Sequence, residues 1–407
     1  MAVIGPASQA AAGDAGVPGS LRLAIDATTA AMLRARGSAK WAAPGPDGFG
    51  AAVAEMDFGA APPILDALAR LSAEANFGYL PPKLADELGQ ACAEFQLRRY
   101  SWSVDPALIH PVPDVIRALE IAITYFSRPG SPVILPTPAY MPFLSVPGLH
   151  GREIIQVRMR EEAGLWTLDL DAIENAYRRG GHLLIFCNPY NPLGRVFTQR
   201  EMTRLTDVVD SYGGRVFADE IHAPLIYPGG RHIPYASTSD TAAAHTLTAT
   251  SASKAWNLPG LKCGAVILTS ASDQRRWDDM GTFVARGASN PGVAASIAAF
   301  RHGEAWLDEV LAYLDDSRHL LARLLSRHLP RVRYRPPEGT YLAWLNCAAL
   351  DLPGSPGALI AERARVTVVD GPAFGDGGDG AVRLNFATPQ PVLTEMIERI
   401  AAALTAA

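Results

Sequence analysis

The sequence predicts an α/β fold in which a mostly parallel central sheet forms a large domain, accompanied by a smaller α+β domain. Two observations support this prediction. In the middle of the chain, short apolar runs alternate with amphipathic helical patterns, as in parallel sheets covered by helices. Toward the C-terminus, a long helical pattern is followed by three short strand patterns and a last helix, which indicates a separate α+β unit.

The elements of the large domain follow from these patterns. Amphipathic helices are predicted at residues 114–126, where Val115, Leu119 and Ile123 recur with helical spacing, and at 200–211. The predicted strands are residues 133–135, 183–187, 215–218, 246–250 and 265–268.

The C-terminal elements are predicted in the same way. They are a helix over 305–328, strands over 341–345, 366–369 and 382–385, and a helix over 391–403. The predicted domain bounds are 61–300 for the large domain and 301–407 for the small one. Residues 21–60 are too short to fold alone, so we expect them to pack with the small domain. Residues 1–20, rich in Ala and Gly, are expected to form a disordered tail.

The composition excludes several classes of function. The chain has 407 residues and a net charge of -5, without the basic excess of a nucleic-acid-binding protein. It lacks the ~20 consecutive apolar residues of a membrane span, and its first residues do not resemble a signal peptide. Its four scattered cysteines form no CxxC pair, so neither a zinc site nor a disulfide framework is indicated. We expect a cytoplasmic protein without nucleic-acid or membrane partners.

Three polar clusters each follow directly after a predicted strand. They are residues 188–194 (NPYNPLG), 219–222 (DEIH) and 251–254 (SASK). Because ligands of open α/β sheets bind at the carboxyl ends of the strands, we expect these clusters to converge.

The chemical groups in these clusters suit one kind of cofactor. A partly desolvated lysine such as Lys254 can attack a carbonyl group and form a Schiff base. A carboxylate such as Asp219 can hold a pyridine nitrogen protonated, which makes the ring an electron sink. Further groups could bind a phenolate oxygen or a phosphate, namely Asn191 for the first and Ser251, Ser253 and Lys262 for the second.

At these residues the sequence resembles a known family. Residues 251–262 (SASKAWNLPGLK) are similar to the lysine signature of fold-type I, class I/II aminotransferases, and residues 191–194 (NPLG) resemble that family's Asn-Pro-Thr-Gly motif. Other segments resemble one branch, the MalY/PatB cystathionine β-lyase-like proteins. These segments are residues 40–41, 55–58, 77–79, 136–143, 219–222, 338–344 and 382–385. The resemblance runs in order from about residue 38 to residue 399.

The resemblance implies a pyridoxal 5'-phosphate enzyme. Lys254 would hold the cofactor as a Schiff base and move the Cα proton. Asp219 would pair with the pyridine nitrogen, Asn191 would contact the ring hydroxyl with His222 nearby, and Tyr140 would stack on the ring. The remaining cofactor contacts would be made by Ser251, Ser253, Lys262, Asp114, Val115 and Tyr79.

The resemblance also implies the substrate contacts and the assembly. Arg383 would hold the substrate α-carboxylate with its bidentate guanidinium, and Asn191, Trp41 and Tyr341 would contribute further contacts. Tyr79 would be a catalytic residue that reaches the phosphate and the substrate of the neighbouring subunit. This implies a homodimer with active sites at the subunit interface.

Two positions depart from the family pattern. Lys262 stands where many relatives carry an arginine, which keeps the charge but not the fork geometry. Asp114 stands in Pro113-Asp114-Val115 where many relatives have Pro-Gly-Val, and its carboxylate would repel a phosphate that it faced. We therefore expect Asp114 to cap the following helix and to leave backbone N–H groups for the phosphate.

Several of these residues have simpler interpretations. Glu220 would by default be a solvated residue at a strand end, His222 could be structural, and Arg383 could belong to an ion pair. The aromatic residues could serve packing alone, namely Tyr140, Tyr79, Trp41 and Tyr341. Asp219 and His222 lack a third metal ligand, so no metal site is predicted. Residues 375–380 match GxGxxG by letter, but a strand pattern follows them, which indicates a turn.

The function implied by the resemblance is carbon–sulfur β-elimination. The substrate would be a small amino acid, an L-cysteine S-conjugate similar to cystathionine, and the products a thiol, pyruvate and ammonia. The alternative is an aminotransferase, which would share every cofactor residue. A regulatory protein that binds the cofactor would need a basic DNA-binding part, which the sequence does not offer.

Overall fold

The computed structural model describes residues 20–281 and 283–405. The predicted tail, residues 1–20, lies outside the described residues apart from Ser20, which begins a helix. No helix in the described ranges is long and apolar enough to cross a membrane.

The helices of the described residues are named in chain order. They are α1 (Ser20–Asp26), α2 (Ala30–Arg36), α3 (Ala39–Ala42), α4 (Pro62–Ala73), α5 (Pro82–Tyr100), α6 (Val115–Tyr125), α7 (Val146–Leu149), α8 (Leu170–Arg178), α9 (Gln199–Ser211), α10 (Asp240–Ala244), α11 (Ala271–Met280), α12 (Asn290–His302), α13 (Glu304–His328), α14 (Pro356–Leu359) and α15 (Gln390–Thr405).

The strands are named likewise. They are β1 (Phe49–Gly50), β2 (Ile109–Val112), β3 (Val133–Thr137), β4 (Ile154–Arg158), β5 (Arg160–Glu162), β6 (Leu165–Thr167), β7 (Leu183–Cys187), β8 (Arg215–Asp219), β9 (Thr246–Thr250), β10 (Gly264–Leu268), β11 (Arg333–Tyr334), β12 (Leu342–Asn346), β13 (Val366–Thr367), β14 (Val369–Asp370) and β15 (Ala381–Asn385).

The central sheet confirms the predicted fold class. Seven strands of the described residues pair in the order β2-β10-β9-β8-β7-β3-β4. The strands from β9 to β4 are parallel, whereas β10 runs antiparallel to both β9 and β2. Every residue of β3, β7, β9 and β10 is buried, because helices cover both faces of the sheet.

The sequence predicted most of these elements closely. Strands β7 and β9 match their predictions residue for residue, and helices α6, α9, α13 and α15 begin and end within two residues of theirs. The prediction of a single strand over residues 366–369 was wrong. This segment forms β13, which pairs with β1, and β14, which pairs with β15, because the chain passes from one small sheet to another between them.

The N-terminal segment packs against the C-terminal elements. Phe49 of β1 pairs in parallel with Val366 of β13, and Leu33 shares a hydrophobic cluster with Val310 and Leu314 of α13. The assignment of residues 21–60 to the small domain stays a prediction, as do the domain bounds. The segment that follows β1 runs back toward the edge of the central sheet, where the polar clusters lie.

Candidate active site

A cavity of about 480 Å³ lies at the carboxyl ends of the central strands. It brings together most of the residues that the sequence singled out, although they come from every part of the chain. The predicted residues that line it are Asp114, Val115, Tyr140, Asn191, Asp219, His222, Ser253, Lys254, Lys262 and Arg383. This convergence follows from the parallel sheet, which places the ends of β7, β8 and β9 side by side.

Lys254 lies in the loop that follows β9. Its Nζ donates a hydrogen bond to the carbonyl oxygen of Ala54 at 2.9 Å. Burial, assisted by the positive charge of Arg383, lowers the pKa of Lys254 to about 8. A substantial fraction of the amine is therefore neutral near physiological pH, and a neutral amine is a nucleophile.

Asp219 is the last residue of β8 and is buried beneath the cavity. Its Oδ1 accepts a hydrogen bond from the backbone N–H of Ile221 at 3.0 Å. Burial raises the pKa of Asp219 to about 7, against the opposing influence of this hydrogen bond and of Lys254. The carboxylate is costly to keep charged here, so a cationic group placed beside it would be stabilised.

His222 follows Asp219 on the same turn and is also buried. Burial lowers the pKa of His222 to about 3, and the positive charges of Lys254 and Arg383 act in the same direction. The ring is therefore neutral, and its Nδ1 has no hydrogen-bond partner among the described residues. His222 can offer a ligand one donor or acceptor without a change in charge.

Arg383 on β15 is buried and reaches the cavity from the small sheet. One terminal nitrogen donates to Oδ1 of Asn191 at 3.0 Å, and the other donates to the carbonyl oxygen of Ala52 at 2.7 Å. Burial lowers the pKa of Arg383 to about 10, which leaves the guanidinium charged at neutral pH. Because these two neighbours are an amide and a carbonyl, its positive charge is available to an anionic ligand.

Asp114 caps helix α6, as the sequence predicted. Its Oδ1 accepts a hydrogen bond from the backbone N–H of Arg117 at 2.8 Å. Its Oδ2 accepts a second hydrogen bond, from Nζ of Lys262 at 2.8 Å. The two departures from the family pattern therefore form an ion pair with each other at the wall of the cavity.

Four predicted site residues do not line the cavity, namely Ser251, Trp41, Tyr341 and Tyr79. Ser251 is buried and its hydroxyl donates to the carbonyl oxygen of Cys263 at 2.6 Å, so its proton is not available to a phosphate. Ser253, in contrast, lines the cavity. Trp41 does not line the cavity, because its Nε1 donates to Oδ1 of Asp57 at 2.9 Å inside the core.

The remaining aromatic residues take three different positions. Tyr140 lines the cavity and is half-buried. Tyr341 is buried behind the cavity wall, and its hydroxyl donates to the same Ala54 carbonyl that Lys254 contacts, at 3.0 Å. Tyr79 lies outside the cavity of its own chain with 92% of its surface exposed, so its role at a neighbouring subunit stays a prediction.

The default interpretation of Glu220 as a solvated residue was wrong. Only 2% of Glu220 is exposed. Its Oε1 accepts from the backbone N–H of Tyr235 at 2.8 Å, and its Oε2 lies 3.1 Å from Nε2 of His232. Side chains alternate along a strand, so the residue after a cavity-facing Asp219 points to the opposite side of the sheet, toward the segment that carries His232 and Tyr235. That alternation is the signal that could have identified Glu220.

A second feature that the sequence analysis missed is the backbone of residues 52–55. Its carbonyl oxygens accept hydrogen bonds from Arg383, Lys254 and Tyr341, as described above, and from Asn385 at 2.7 Å. The segment is held from behind by Asp57, which accepts from Nζ of the fully buried Lys40 at 2.8 Å. The two family-like segments, residues 40–41 and 55–58, therefore form one structural unit around this ion pair.

Comparisons with known proteins agree with this site. Residues 48–400 match the sequence profile of the family described as aminotransferase class I and II. The chain is 38% identical to a cystathionine beta-lyase of Corynebacterium glutamicum, over 91% of this chain and 98% of that one. It is 31% identical to the cystathionine beta-lyase PatB of Bacillus subtilis, over 87% and 92% of the two chains.

A solved structure gives the same result at the level of the fold. The structure of a PLP-bound C–S lyase from Staphylococcus hominis superimposes with a TM-score of 0.81 at 27% identity. The match covers 87% of this chain and 91% of that one.

Proposed function

The chain belongs to the class I and II aminotransferase family, and from this premise we propose that it is a pyridoxal-phosphate-dependent carbon–sulfur β-lyase. The substrate would be an L-cysteine S-conjugate similar to cystathionine, which reacts with water to give a thiol, pyruvate and ammonia. The observation that carries the proposal is the convergence of Lys254, Asp219 and Arg383 in one cavity, in a chain closely similar to a cystathionine beta-lyase.

The buried polar groups of the cavity suit the cofactor, because they lack partners that the cofactor could supply. Asp219 is a buried carboxylate whose pKa is raised to about 7, and a protonated pyridine nitrogen would supply the cation that it lacks. Nδ1 of His222 and Nε of Arg383 are buried without partners among the described residues, so they could bind a polar ligand. Lys254 offers an amine with a pKa of about 8 to the cofactor's aldehyde.

Pyridoxal phosphate, when bound, withdraws electrons from the substrate's Cα and so assists loss of the Cα proton and departure of a group from Cβ. The chain's own residues would prepare that chemistry. Arg383 would hold the α-carboxylate and thereby orient Cα toward Lys254, whose neutral Nζ would accept the proton. Asn191 supports Arg383 through its 3.0 Å hydrogen bond and could contact the ring oxygen with its amide.

We also propose a homodimer in which Tyr79 completes the site of the other subunit. Tyr79 and Phe283 form an exposed aromatic group. The guanidinium of Arg286 lies over this group, 4.3 Å from the ring centroid of Phe283 and 5.7 Å from that of Tyr79. Exposed apolar groups of this kind are typical of protein interfaces. A cytoplasmic location stays a prediction, consistent with four free cysteines.

The proposal is tested by loading the purified chain with pyridoxal phosphate and adding L-cystathionine. We expect a visible absorption band before addition, and release of pyruvate afterwards, measured by a coupled lactate dehydrogenase assay. The K254A variant should show neither the covalent band nor pyruvate. Absence of any band in the wild type would contradict the cofactor. A band that changes without pyruvate release from any S-substituted cysteine would instead support the alternative, an aminotransferase.

A further inference from the structure

The start of helix α6 carries a charge arrangement that the proposed reaction does not explain. Asp114, Val115 and Ile116, at the start of the helix, line the cavity, and the start of a helix favours an anion. At the same end, the carboxylate of Asp114 lies 2.8 Å from the ammonium group of Lys262. The positive charge that could attract a phosphate is therefore already paired with a negative one.

The cations that line the cavity show why this pairing matters. They are Lys254, Arg383 and Lys262. Lys254 donates to Ala54, and Arg383 donates to Asn191 and Ala52, so neither one makes a hydrogen bond to a residue of α6 or to Asp114. Arg117, on the first turn of the helix, directs its guanidinium to Glu120 and to the carbonyl oxygen of Val284. Lys262 is thus the side-chain cation available at this end, among the described residues that line the cavity.

We propose that the carboxylate of Asp114 competes with the cofactor's phosphate for the positive charge of Lys262. This carboxylate holds Lys262 and adds a negative charge beside the helix start, so the phosphate is bound more weakly than the same site would bind it without that charge. This inference rests on the proposed function, because it presumes that pyridoxal phosphate occupies the cavity with its phosphate at α6.

The pairing with Lys262 is separable from the capping role of Asp114. Oδ1 makes the cap with Arg117 and Oδ2 makes the ion pair. Asparagine and serine are also good N-cap residues, so D114N and D114S keep the cap and remove the charge. The effect should be moderate, because 38% of the Asp114 side chain and 58% of the Lys262 side chain are exposed and water screens the charges.

The experiment compares the affinity of the cofactor-free full chain for pyridoxal phosphate and for pyridoxal, which lacks the phosphate. Binding is followed by tryptophan fluorescence and by the visible band. The dissociation constant for pyridoxal, divided by that for pyridoxal phosphate, isolates the contribution of the phosphate. We expect D114N and D114S to increase the preference for pyridoxal phosphate by about three- to tenfold, as expected for one partly screened charge interaction, without a change in pyridoxal affinity.

A matched control is available at Asp169. This residue caps α8 through the backbone N–H of Ala172 and pairs with Arg160, but it does not line the cavity. D169N should leave the ratio unchanged. The inference would be overturned if D114N and D114S melted at the wild-type temperature and showed an unchanged or smaller preference for pyridoxal phosphate over pyridoxal. If the wild type bound neither compound, the proposed function would fail instead, and the two failures are therefore distinguishable.

Discussion

At the scale of single residues, burial shifts the pKa values of ionisable groups in the cavity toward their neutral forms. It lowers the pKa of Lys254 to about 8, raises that of Asp219 to about 7 and lowers that of His222 to about 3. Each shift disfavours the charged form, as desolvation does in general. The site therefore carries an electrostatic cost that a ligand with complementary charges would relieve, and this is typical of functional sites.

The cost of ionising the buried Asp219 leads to a prediction about how the stability of the protein depends on pH. The folded-state pKa lies above the unfolded one, so the contribution of Asp219 to the stability of the cofactor-free wild type decreases as the pH rises from about 4 to about 7. D219N removes this ionisation. The variant should melt at a higher temperature than the wild type at pH 8, and this advantage should shrink steadily toward pH 4.

The measurement is a series of thermal melts of both cofactor-free proteins across that pH range. An advantage of D219N that stayed constant with pH would contradict the assignment of the raised pKa to Asp219. In the loaded enzyme, the same substitution should lower pyruvate release by at least about 100-fold, because the ring nitrogen would lose its counter-ion.

At the scale of single elements, the turn after β8 supports the site from both sides of the sheet. Asp219 and His222 face the cavity, while Glu220 points away from it and binds the segment that carries His232 and Tyr235. The carboxylate of Glu220 therefore ties the turn to a neighbouring loop. Loss of this tie should affect the position of the two cavity-facing residues as well as stability.

This arrangement predicts different outcomes for two substitutions of Glu220. E220A leaves the N–H of Tyr235 and one nitrogen of His232 without partners, which should lower the free energy of unfolding by about 2–4 kcal/mol. E220Q keeps an oxygen for Tyr235, but its amide group can only donate to Nε2 of His232, which must then carry its hydrogen on the buried Nδ1. The loss for E220Q should therefore be smaller than that for E220A, about 1–2 kcal/mol. Urea unfolding measures both, and equal midpoints for E220A and the wild type would contradict the role given to Glu220.

At the scale of the whole molecule, the cavity depends on parts of the chain that are distant in sequence. The central sheet contributes Asp219 and Lys254, the small sheet contributes Arg383, and the N-terminal segment contributes the carbonyl groups of Ala52 and Ala54. The buried pair of Lys40 and Asp57 holds that segment in place. A second subunit would add the last part through Tyr79.

The dimer proposal predicts complementation between two defective subunits. K254A and Y79A, coexpressed with different tags and purified as a heterodimer, should form one intact site and one site that lacks both groups. We expect about half of the wild-type activity, because a two-fold dimer exchanges equivalent residues between its sites. Each homodimer should be strongly impaired on its own.

A control for this experiment uses Tyr125, an exposed residue of α6 that does not line the cavity. The K254A/Y125A heterodimer should also retain about half of the activity, whichever subunit supplies Tyr79. If Tyr79 acted within its own chain, K254A/Y79A would stay inactive while K254A/Y125A remained active. A monomer by light scattering would contradict the proposal directly.

Patterns in the sequence were enough to predict the fold class, the strands that end at the site and the cavity residues that carry a recognisable chemical group. Strand β7 was predictable because a strand buried on both faces is typically apolar along its length, as the sequence LLIFC is. Strand β9, with the sequence TLTAT, was predictable because β-branched threonine favours strands. Lys254, Asp219 and Arg383 were predictable because short motifs connect them to a known family. Asp114 was predictable as a cap because capping depends on neighbouring residues only.

Only the tertiary structure decided the contacts between distant segments. Alternation along the strand separates Glu220 from Asp219, but its burial depends on a distant loop, which carries Tyr235 and covers that side of the sheet. The hydroxyl of Ser251 donates its hydrogen bond to the carbonyl oxygen of Cys263, and Nε1 of Trp41 donates to Asp57. The motifs do not encode these contacts. The carbonyl groups of residues 52–55 have no sequence signal at all, because every residue has a carbonyl and only its position in the fold gives it a partner.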